Sequence, residues 1–143
     1  MAADMTLHAR RAFLAEGTRT AVLATVREDG RPHAAPIAFV LDDDDISFLT
    51  NAETVKGRDL LRDPRVTLVI DDETPPFAFV MIEGTAVASR DVRNLEQVAR
   101  RISQRYDAGE GIEDFVRFAR DALGTLVRVA PTRIVARERV GEH

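Results

Sequence analysis

The stretch 21-AVLATVREDGRPH-33 decides the fold class of this chain. Its first part, Ala21 to Arg27, is rich in β-branched residues and leucine, which is typical of a strand. The run is followed by Asp29-Gly30, and such a pair between two strand-like runs is a strong hairpin signal, because a type I′ turn needs positive φ at both central residues. The second strand would extend over Pro32 to Leu41. The stretch therefore predicts an antiparallel hairpin.

Further strand-like segments follow the hairpin. The acidic run 42–45 cannot bury four like charges and is predicted to be a turn. Alternation of Val66, Leu68 and Ile70 with their neighbours indicates a half-buried strand. A glycine at 84 and a proline at 131 each indicate a bulge or an edge within a later strand. With the two hairpin strands, the segments 46–50, 65–70, 77–88 and 126–137 bring the predicted number of strands to six.

Three helical regions interrupt this pattern. A short amphipathic helix is predicted over about 6–16, and a second over 53–62, ended by Asp63-Pro64. Apolar residues then recur at helical spacing in an insertion over about 91–123, for which Asp91 is the predicted N-cap. Hairpins followed by a late return strand favour a closed sheet. The expected fold is one mainly β domain, residues 1–143, forming a six-stranded antiparallel β-barrel with flanking helices.

Composition excludes several functional classes. The chain has 143 residues, a net charge of −4 and no cysteine, so disulfides, thiol nucleophiles and cysteine-based zinc sites are excluded. There is no basic patch for nucleic acid or for a membrane surface. No apolar run approaches the length of a membrane span, and the first residues lack the apolar core of a secretory signal. We therefore expect a cytoplasmic protein without nucleic-acid or membrane partners.

The usual catalytic constellations are also missing from the sequence. The three histidines, His8, His33 and His143, lie far apart, and no spacing resembles a metal site. There is no Gly-x-Ser-x-Gly elbow and no glycine-rich phosphate loop. If the chain is an enzyme, we expect a bound cofactor to carry the chemistry.

The most informative polar stretch is Thr50 to Arg58, which follows a strand and opens a helix. Backbone N–H groups at a helix start, with threonine hydroxyls and the only lysine, Lys56, nearby, can form a cradle for an anion. The alternative is an ordinary solvated helix start capped by Thr54. The pattern alone leaves both interpretations open.

A second candidate feature is the pair Phe77 and Phe79, which share one face of a predicted strand. The two rings could be ordinary core residues. They could also form an aromatic wall for a dimer interface or for a planar ligand. The pattern does not distinguish these alternatives.

Taken in order, several of these segments resemble one family. They are the hairpin 21–33, the tripeptide Ala35-Pro36-Ile37, the Thr50-Asn51 pair followed by Lys56, the segment 60–66 and Glu83-Gly84-Thr85-Ala86. Together they are similar to the pyridoxamine 5′-phosphate oxidase-like proteins, whose fold is the FMN-binding split β-barrel. Within that family the chain most resembles the short branch that uses the deazaflavin coenzyme F420.

The resemblance implies a role for each candidate residue. Lys56 would hold the cofactor phosphate together with Thr50, Asn51 and Thr54, with Arg58 as a second cation. Many FMN-binding relatives carry an arginine at the position of Val55, so its absence favours deazaflavin over FMN. The segment His33 to Ala38, including Pro36 and Ile37, would lie along the ring. The residues expected to close the pocket from the other subunit of a homodimer are Pro76, Phe77 and Phe79.

The function implied is a coenzyme F420-dependent oxidoreductase that transfers a hydride to a small or mid-sized organic acceptor. No catalytic side chain can be named from the sequence. One alternative is an FMN-binding oxidoreductase on the same barrel. The other is a non-catalytic carrier of a cofactor, haem or lipid.

Overall fold

A computed structural model describes residues 2–106 and 111–141; His143 and positions 107–110 of the predicted insertion lie outside these ranges. The described residues form eight strands, four α-helices and one π-helical turn. The strands are β1 (Ala3–Asp4), β2 (Ala21–Val26), β3 (Pro32–Ile37), β4 (Val40–Asp42), β5 (Asp45–Asn51), β6 (Arg65–Asp72), β7 (Phe77–Ser89) and β8 (Gly124–Val140). The helices are α1 (Leu7–Ala15), α2 (Val55–Arg62), α3 (Val92–Tyr106) and α4 (Ile112–Phe118), and the π-helical turn is Ala119–Leu123.

All eight strands belong to one antiparallel sheet that curls into a split barrel. The strand order is β3-β2-β6-β7-β8-β5-β4, with β1 added along β8. The two ends of this order, β3 and β4, are consecutive in the chain and are separated only by Ala38 and Phe39. This short link holds the ends of the sheet together. Phe39 is fully buried, so the closure is also part of the core.

The longest pairing, between β7 and β8, contains a bulge. Glu83 pairs with Arg133 but Gly84 pairs with Pro131, which leaves Thr132 as the extra residue. The hydroxyl of Thr132 donates a hydrogen bond to the Glu83 carbonyl at 3.1 Å. Proline has no N–H to give to a ladder, and a bulge accommodates it. The bulge predicted near the glycine and the proline is confirmed.

Two apolar clusters stabilise the fold. The larger one fills the barrel and includes Leu23, Phe48, Leu68 and Ile82, all fully buried. The second lies between the helices α3 and α4 and the outer side of the sheet, where Leu95 and Ala99 are buried. Asp91 accepts a hydrogen bond from the N–H of Asn94 at 3.1 Å. This contact confirms the predicted N-cap of α3.

The end of α3 is fixed to the barrel closure by Arg105. Its guanidinium donates to the carbonyls of Leu14 (2.7 Å), Gly17 (3.1 Å) and Phe39 (3.1 Å). It also lies 4.5 Å from the centre of the Phe39 ring. Burial lowers the pKa of Arg105 from its ordinary value. One side chain thus joins α1, the turn before β2, and the link between β3 and β4.

The predicted fold class is confirmed, but the predicted count of six strands was wrong. The expected second strand, Pro32 to Leu41, is divided into β3 and β4, because its two halves pair at opposite ends of the sheet. The short strand β1 was not predicted. The acidic turn is confirmed as a tight hairpin, in which Asp42 pairs with Asp45 and Asp43 has a φ of 54°.

Candidate functional site

The candidate site is the junction where β5 ends and α2 begins. Thr54 is the N-cap of α2: its side chain accepts a hydrogen bond from the N–H of Gly57 at 3.2 Å. The same hydroxyl donates to the Asn51 carbonyl at 2.7 Å. The buried hydroxyl of Thr50 lies 3.4 Å from it. Both hydroxyls are therefore engaged in shaping the junction.

Asn51 is likewise occupied by contacts within the protein. Its Oδ1 accepts from the N–H of Glu53 at 2.8 Å, and its Nδ2 donates to the carbonyl of Ala122 at 2.9 Å. Because Ala122 belongs to the π-helical turn before β8, this side chain bridges two parts of the chain far apart in sequence. It defines the geometry of the junction from both sides.

Gly57 lets α2 lie directly against the end of β5. A Cβ at this position would stand 2.2 Å from the Asn51 carbonyl oxygen and 2.9 Å from the Cα of Ala52. Both of those atoms belong to the backbone and cannot rotate away. Only glycine permits this close approach.

A buried carboxylate fixes the other side of α2. Asp59 is only 4% exposed; it accepts from the Thr25 hydroxyl at 2.9 Å and lies 3.3 Å from Arg62. The guanidinium of Arg62 also donates to the carbonyl of Val26. Just after the helix, hydrogen bonds from Arg65 lower the pKa of Asp63 to about 2. The helix is thus held against β2 along its length.

These contacts leave Lys56 as an available cation of the junction. Lys56 is half-buried, and among residues 2–106 and 111–141 its ammonium group has neither an ion pair nor a hydrogen bond. Arg58 is exposed and is also unpaired within those ranges. The N–H groups of Val55 and Lys56 lie in the first turn of α2, where no carbonyl within the helix can accept from them. The free donors are therefore two cations and two amides.

Strand β3, which contains most of the segment predicted to lie along a cofactor ring, packs beside α2. Helix α2 packs against both β2 and β3. His33 pairs with Thr25 across the hairpin, so the two side chains share the face that meets α2. The His33 ring is half-buried, and its Nδ1 is buried with no hydrogen-bond partner in the part of the chain described. Of the other residues predicted in this segment, Ile37 is buried in the barrel, Ala38 is half-buried in the closing link and Pro36 is exposed.

The predicted aromatic residues lie elsewhere in the same chain. The N–H of Ala86 donates to the carbonyl of Pro64, just after α2. Phe77 is nine residues away from Ala86 along β7, a span of about 30 Å. Pro76 and Phe77 are exposed, and Phe79 is half-buried. The structure therefore does not bring these three residues to the α2 junction of their own chain.

Phe77 and Phe79 lie instead beside an apolar row that crosses the outer face of the sheet. Successive pairings align Pro36, Val22, Val69, Met81 and Val135, one from each of five strands. Directly opposed residues of antiparallel strands share a face. None of the five is fully buried, and Val22 is 44% exposed. A shallow depression beside this row is lined by apolar residues together with two aspartates: Val22, Val69, Asp71, Asp72, Phe77, Ala78 and Phe79.

Comparison with known proteins agrees with this architecture. The sequence profile described as pyridoxamine 5′-phosphate oxidase matches residues 7–135. The chain belongs to the pyridoxamine 5′-phosphate oxidase family. This family binds flavins or coenzyme F420 and includes oxidoreductases. No curated protein matches the sequence.

Several solved structures share the family fold. The conserved hypothetical protein Rv2991 from Mycobacterium tuberculosis is 26% identical, with a TM-score of 0.84 over 94% of this chain and 86% of that one. A protein described as an F420 reductase is 22% identical (TM-score 0.69, covering 86% and 94%). The haem storage protein HutZ from Vibrio cholerae is also 22% identical (TM-score 0.72, covering 92% and 96%). At this identity the last two show the fold alone.

The sequence did not indicate the residues that hold α2 in place. Asp59, Thr25 and Ala122 carry no motif, and they meet the junction only through pairing between distant segments. A glycine at the third position of a helix, as at Gly57, is only a weak sequence signal of a close contact between that helix and a neighbouring strand.

Within the described residues, no group of three or more acidic or histidine side chains could hold a metal ion. None of the helices in those ranges is both long and apolar enough to cross a membrane.

Proposed function

We propose that this protein is a coenzyme F420-dependent oxidoreductase that passes a hydride to a small or mid-sized organic acceptor. The observation that carries the proposal is Lys56, a half-buried cation without an ion pair in the described chain, beside the free N–H groups at the start of α2. A cation without an ion pair, beside the N–H groups of a helix start, can take its counter-charge from outside the protein. An anionic group of a ligand supplies one.

The donor set of the junction fits a phosphate. Lys56 and Arg58 provide charge, and the N–H groups of Val55 and Lys56 provide two directed hydrogen bonds. The hydroxyls of Thr50 and Thr54 and the side chain of Asn51 hold the junction in shape. The one buried carboxylate of α2, Asp59, is already engaged by Thr25 and Arg62. It therefore does not oppose an incoming anion as a free charge would.

Val55 favours deazaflavin over FMN as the cofactor. Many FMN-binding relatives carry an arginine just before the lysine, and a guanidinium there can bind a phosphate in a bidentate manner. The isopropyl group of Val55 cannot do so. We therefore expect weaker binding of the compact FMN phosphate than of coenzyme F420.

The bound deazaflavin would supply the hydride chemistry. The protein's own contribution would be orientation: the donors of α2 would hold the anionic tail, and His33 to Ala38 would contact the ring. Correct alignment of the hydride donor with the hydride acceptor accounts for much of the rate increase in such reactions.

The two cofactors are distinguished by titration of the purified protein. We expect coenzyme F420 to bind to colourless protein more tightly than FMN does. Yellow protein with releasable FMN would favour the FMN-binding alternative instead. A protein that binds either cofactor but reduces no compound of a broad acceptor panel would be a carrier. The similar protein HutZ is described as a storage protein for haem.

Lys56→Ala is expected to weaken cofactor binding by about 1.5–3 kcal/mol, the contribution of one charge-assisted contact. The measurement is the dissociation constant from fluorescence titration. Arg11→Ala is the matched control, because it removes an exposed cation that pairs with Asp44, at the opposite end of β5 from the junction. This variant is expected to bind like the wild type. Equal affinities for the Lys56→Ala variant and the wild type would remove Lys56 from the site.

We also propose that the apolar row of the sheet is covered by a second copy of the chain. In that arrangement the partner's aromatic residues would approach this chain's cofactor, as the family resemblance implies for Pro76, Phe77 and Phe79. Val22→Glu places a charge in the middle of the row and is expected to give a monomer in analytical ultracentrifugation. Val87→Glu is the control, because Val87 is 65% exposed but lies outside the row, and this variant should remain dimeric. Wild-type protein that sediments as a monomer at micromolar concentration would contradict the proposal.

A further inference from the structure

We infer that Asn51 is a positioning residue, through which the π-helical turn before β8 sets the start of the cofactor-binding helix. The inference rests on the proposed function, because it concerns the same junction. It assigns a role in cofactor affinity to a part of the chain, Ala119–Leu123, that does not itself supply donors to the cofactor.

Every polar group on the side chain of Asn51 has a partner within the protein. Its Oδ1 accepts from Glu53 at 2.8 Å, and its Nδ2 donates to Ala122 at 2.9 Å. Its carbonyl oxygen accepts from both the N–H (3.1 Å) and the hydroxyl (2.7 Å) of Thr54. The Oδ1 and carbonyl oxygens are acceptors and could not bind an anion in any case, and one of the two N–H bonds of Nδ2 is used by Ala122. Asn51 therefore acts by shaping the loop.

The π-helical turn is firmly placed on its other side. Ala119 is fully buried in the cluster between α3, α4 and the sheet. The turn ends at Gly124, which has a φ of 79° and whose N–H donates to the Ala119 carbonyl. The last carbonyls of a helix lack partners within it. The carbonyl of Ala122 is one of these, and it is taken up by Asn51.

The contacts thus form a continuous connection. From the buried Ala119 it passes through Ala122 to Asn51, and from there to the first turn of α2. The Asn51 carbonyl oxygen also lies 2.2 Å from the place of a Gly57 Cβ, so a displacement of Asn51 towards α2 pushes on the first turn of the helix. The N–H groups of Val55 and Lys56, which would receive the phosphate, move with that helix. Turns of π-type inside helices often occur at functional sites, and here the turn lies one hydrogen bond away from the junction.

Two glycines of the chain provide a matched test. Gly124 and Gly17 both have positive φ, 79° and 58°, and a Cβ on either would meet no atom within 4 Å. Alanine at either position introduces the same kind of backbone strain, but only Gly124 caps the turn that Asn51 contacts. We expect Gly124→Ala to weaken cofactor binding about two- to tenfold, the effect of perturbing one neutral hydrogen bond. We expect Gly17→Ala to change the dissociation constant by less than about twofold on the same scale.

A double-mutant cycle identifies Asn51 as the connecting residue. Asn51→Ala alone should weaken binding, and Gly124→Ala should have no further effect in that background. A second readout is amide hydrogen exchange at Gly57 and Arg58, whose N–H groups are both bonded to Thr54. It should accelerate in Gly124→Ala but not in Gly17→Ala. Independent, additive effects of the two substitutions, or equal effects of the two glycine variants, would overturn the inference. If the wild type binds neither coenzyme F420 nor FMN, the proposed function fails, and the exchange measurement still decides whether Asn51 couples the turn to α2.

Discussion

Replacement of Gly57 by alanine is expected to destabilise the fold by about 1–3 kcal/mol, the usual cost of an overpacked contact, and to remove measurable cofactor binding. The added Cβ would stand 2.2 Å from the Asn51 carbonyl oxygen. Since that atom is backbone, α2 must move away from β5, and the phosphate donors at its start move with it. Urea unfolding and cofactor titration measure the two effects.

The direction of the stability change in Gly57→Ala is informative, because alanine normally stabilises a helix by about 1 kcal/mol relative to glycine. Gly111→Ala is the control: it changes the residue before α4, where the nearest atom to a new Cβ is the Asp114 Oδ2 at 3.5 Å. That variant should be as stable as the wild type and bind cofactor equally well. A Gly57→Ala protein of unchanged or increased stability would show that the close approach of α2 to β5 does not exist in solution.

Arg105→Ala is expected to lower the free energy of unfolding by about 3–5 kcal/mol. The guanidinium donates to three carbonyls on separate segments, and removal of a half-buried charge leaves those acceptors without their partner. The lost stacking on Phe39 adds to the cost. Chemical denaturation followed by circular dichroism gives the value directly.

Arg100→Ala, on the same helix, serves as the comparison. Arg100 forms an exposed ion pair with Glu113, and such pairs contribute about 0–1 kcal/mol. The loss in free energy of unfolding for Arg105→Lys should lie between those of Arg105→Ala and Arg100→Ala. An ammonium group keeps the charge but cannot donate to three carbonyls in the way that a planar guanidinium does. If Arg105→Ala were no more destabilising than Arg100→Ala, the barrel closure would not depend on this clamp.

Much of the fold could be predicted from local patterns. The hairpin after β2, the alternation in β6 and the capping residues Thr54 and Asp91 are each short-range signals, and the structure contains all of them. The type I′ turn expected at Asp29-Gly30 was wrong, because only Gly30 has a positive φ, 89°. The division of Pro32 to Leu41 was missed, because nothing local shows that its two halves pair with strands at opposite ends of the sheet. Strand pairing over long distances is a tertiary property.

The candidate site was less accessible to prediction. A threonine, an asparagine and a lysine after a strand indicated the junction, and the structure places them together. The sequence could not show that the hydroxyls and the amide are occupied internally while Lys56 is not. Nor could it show Asp59 beneath the helix, because its partner Thr25 is 34 residues away in the chain.

The position of β8 in the sheet has a consequence for synthesis of the protein. This strand lies between β5 and β7 and pairs with both, yet it is the last of the eight to leave the ribosome. Until then both neighbours present unpaired backbone, the kind of edge that promotes association between nascent chains. The many contacts between distant segments also predict slow folding. We expect chaperone dependence during translation to end when β8 emerges, which is also when Gly124 meets Asn51 and the junction first becomes complete.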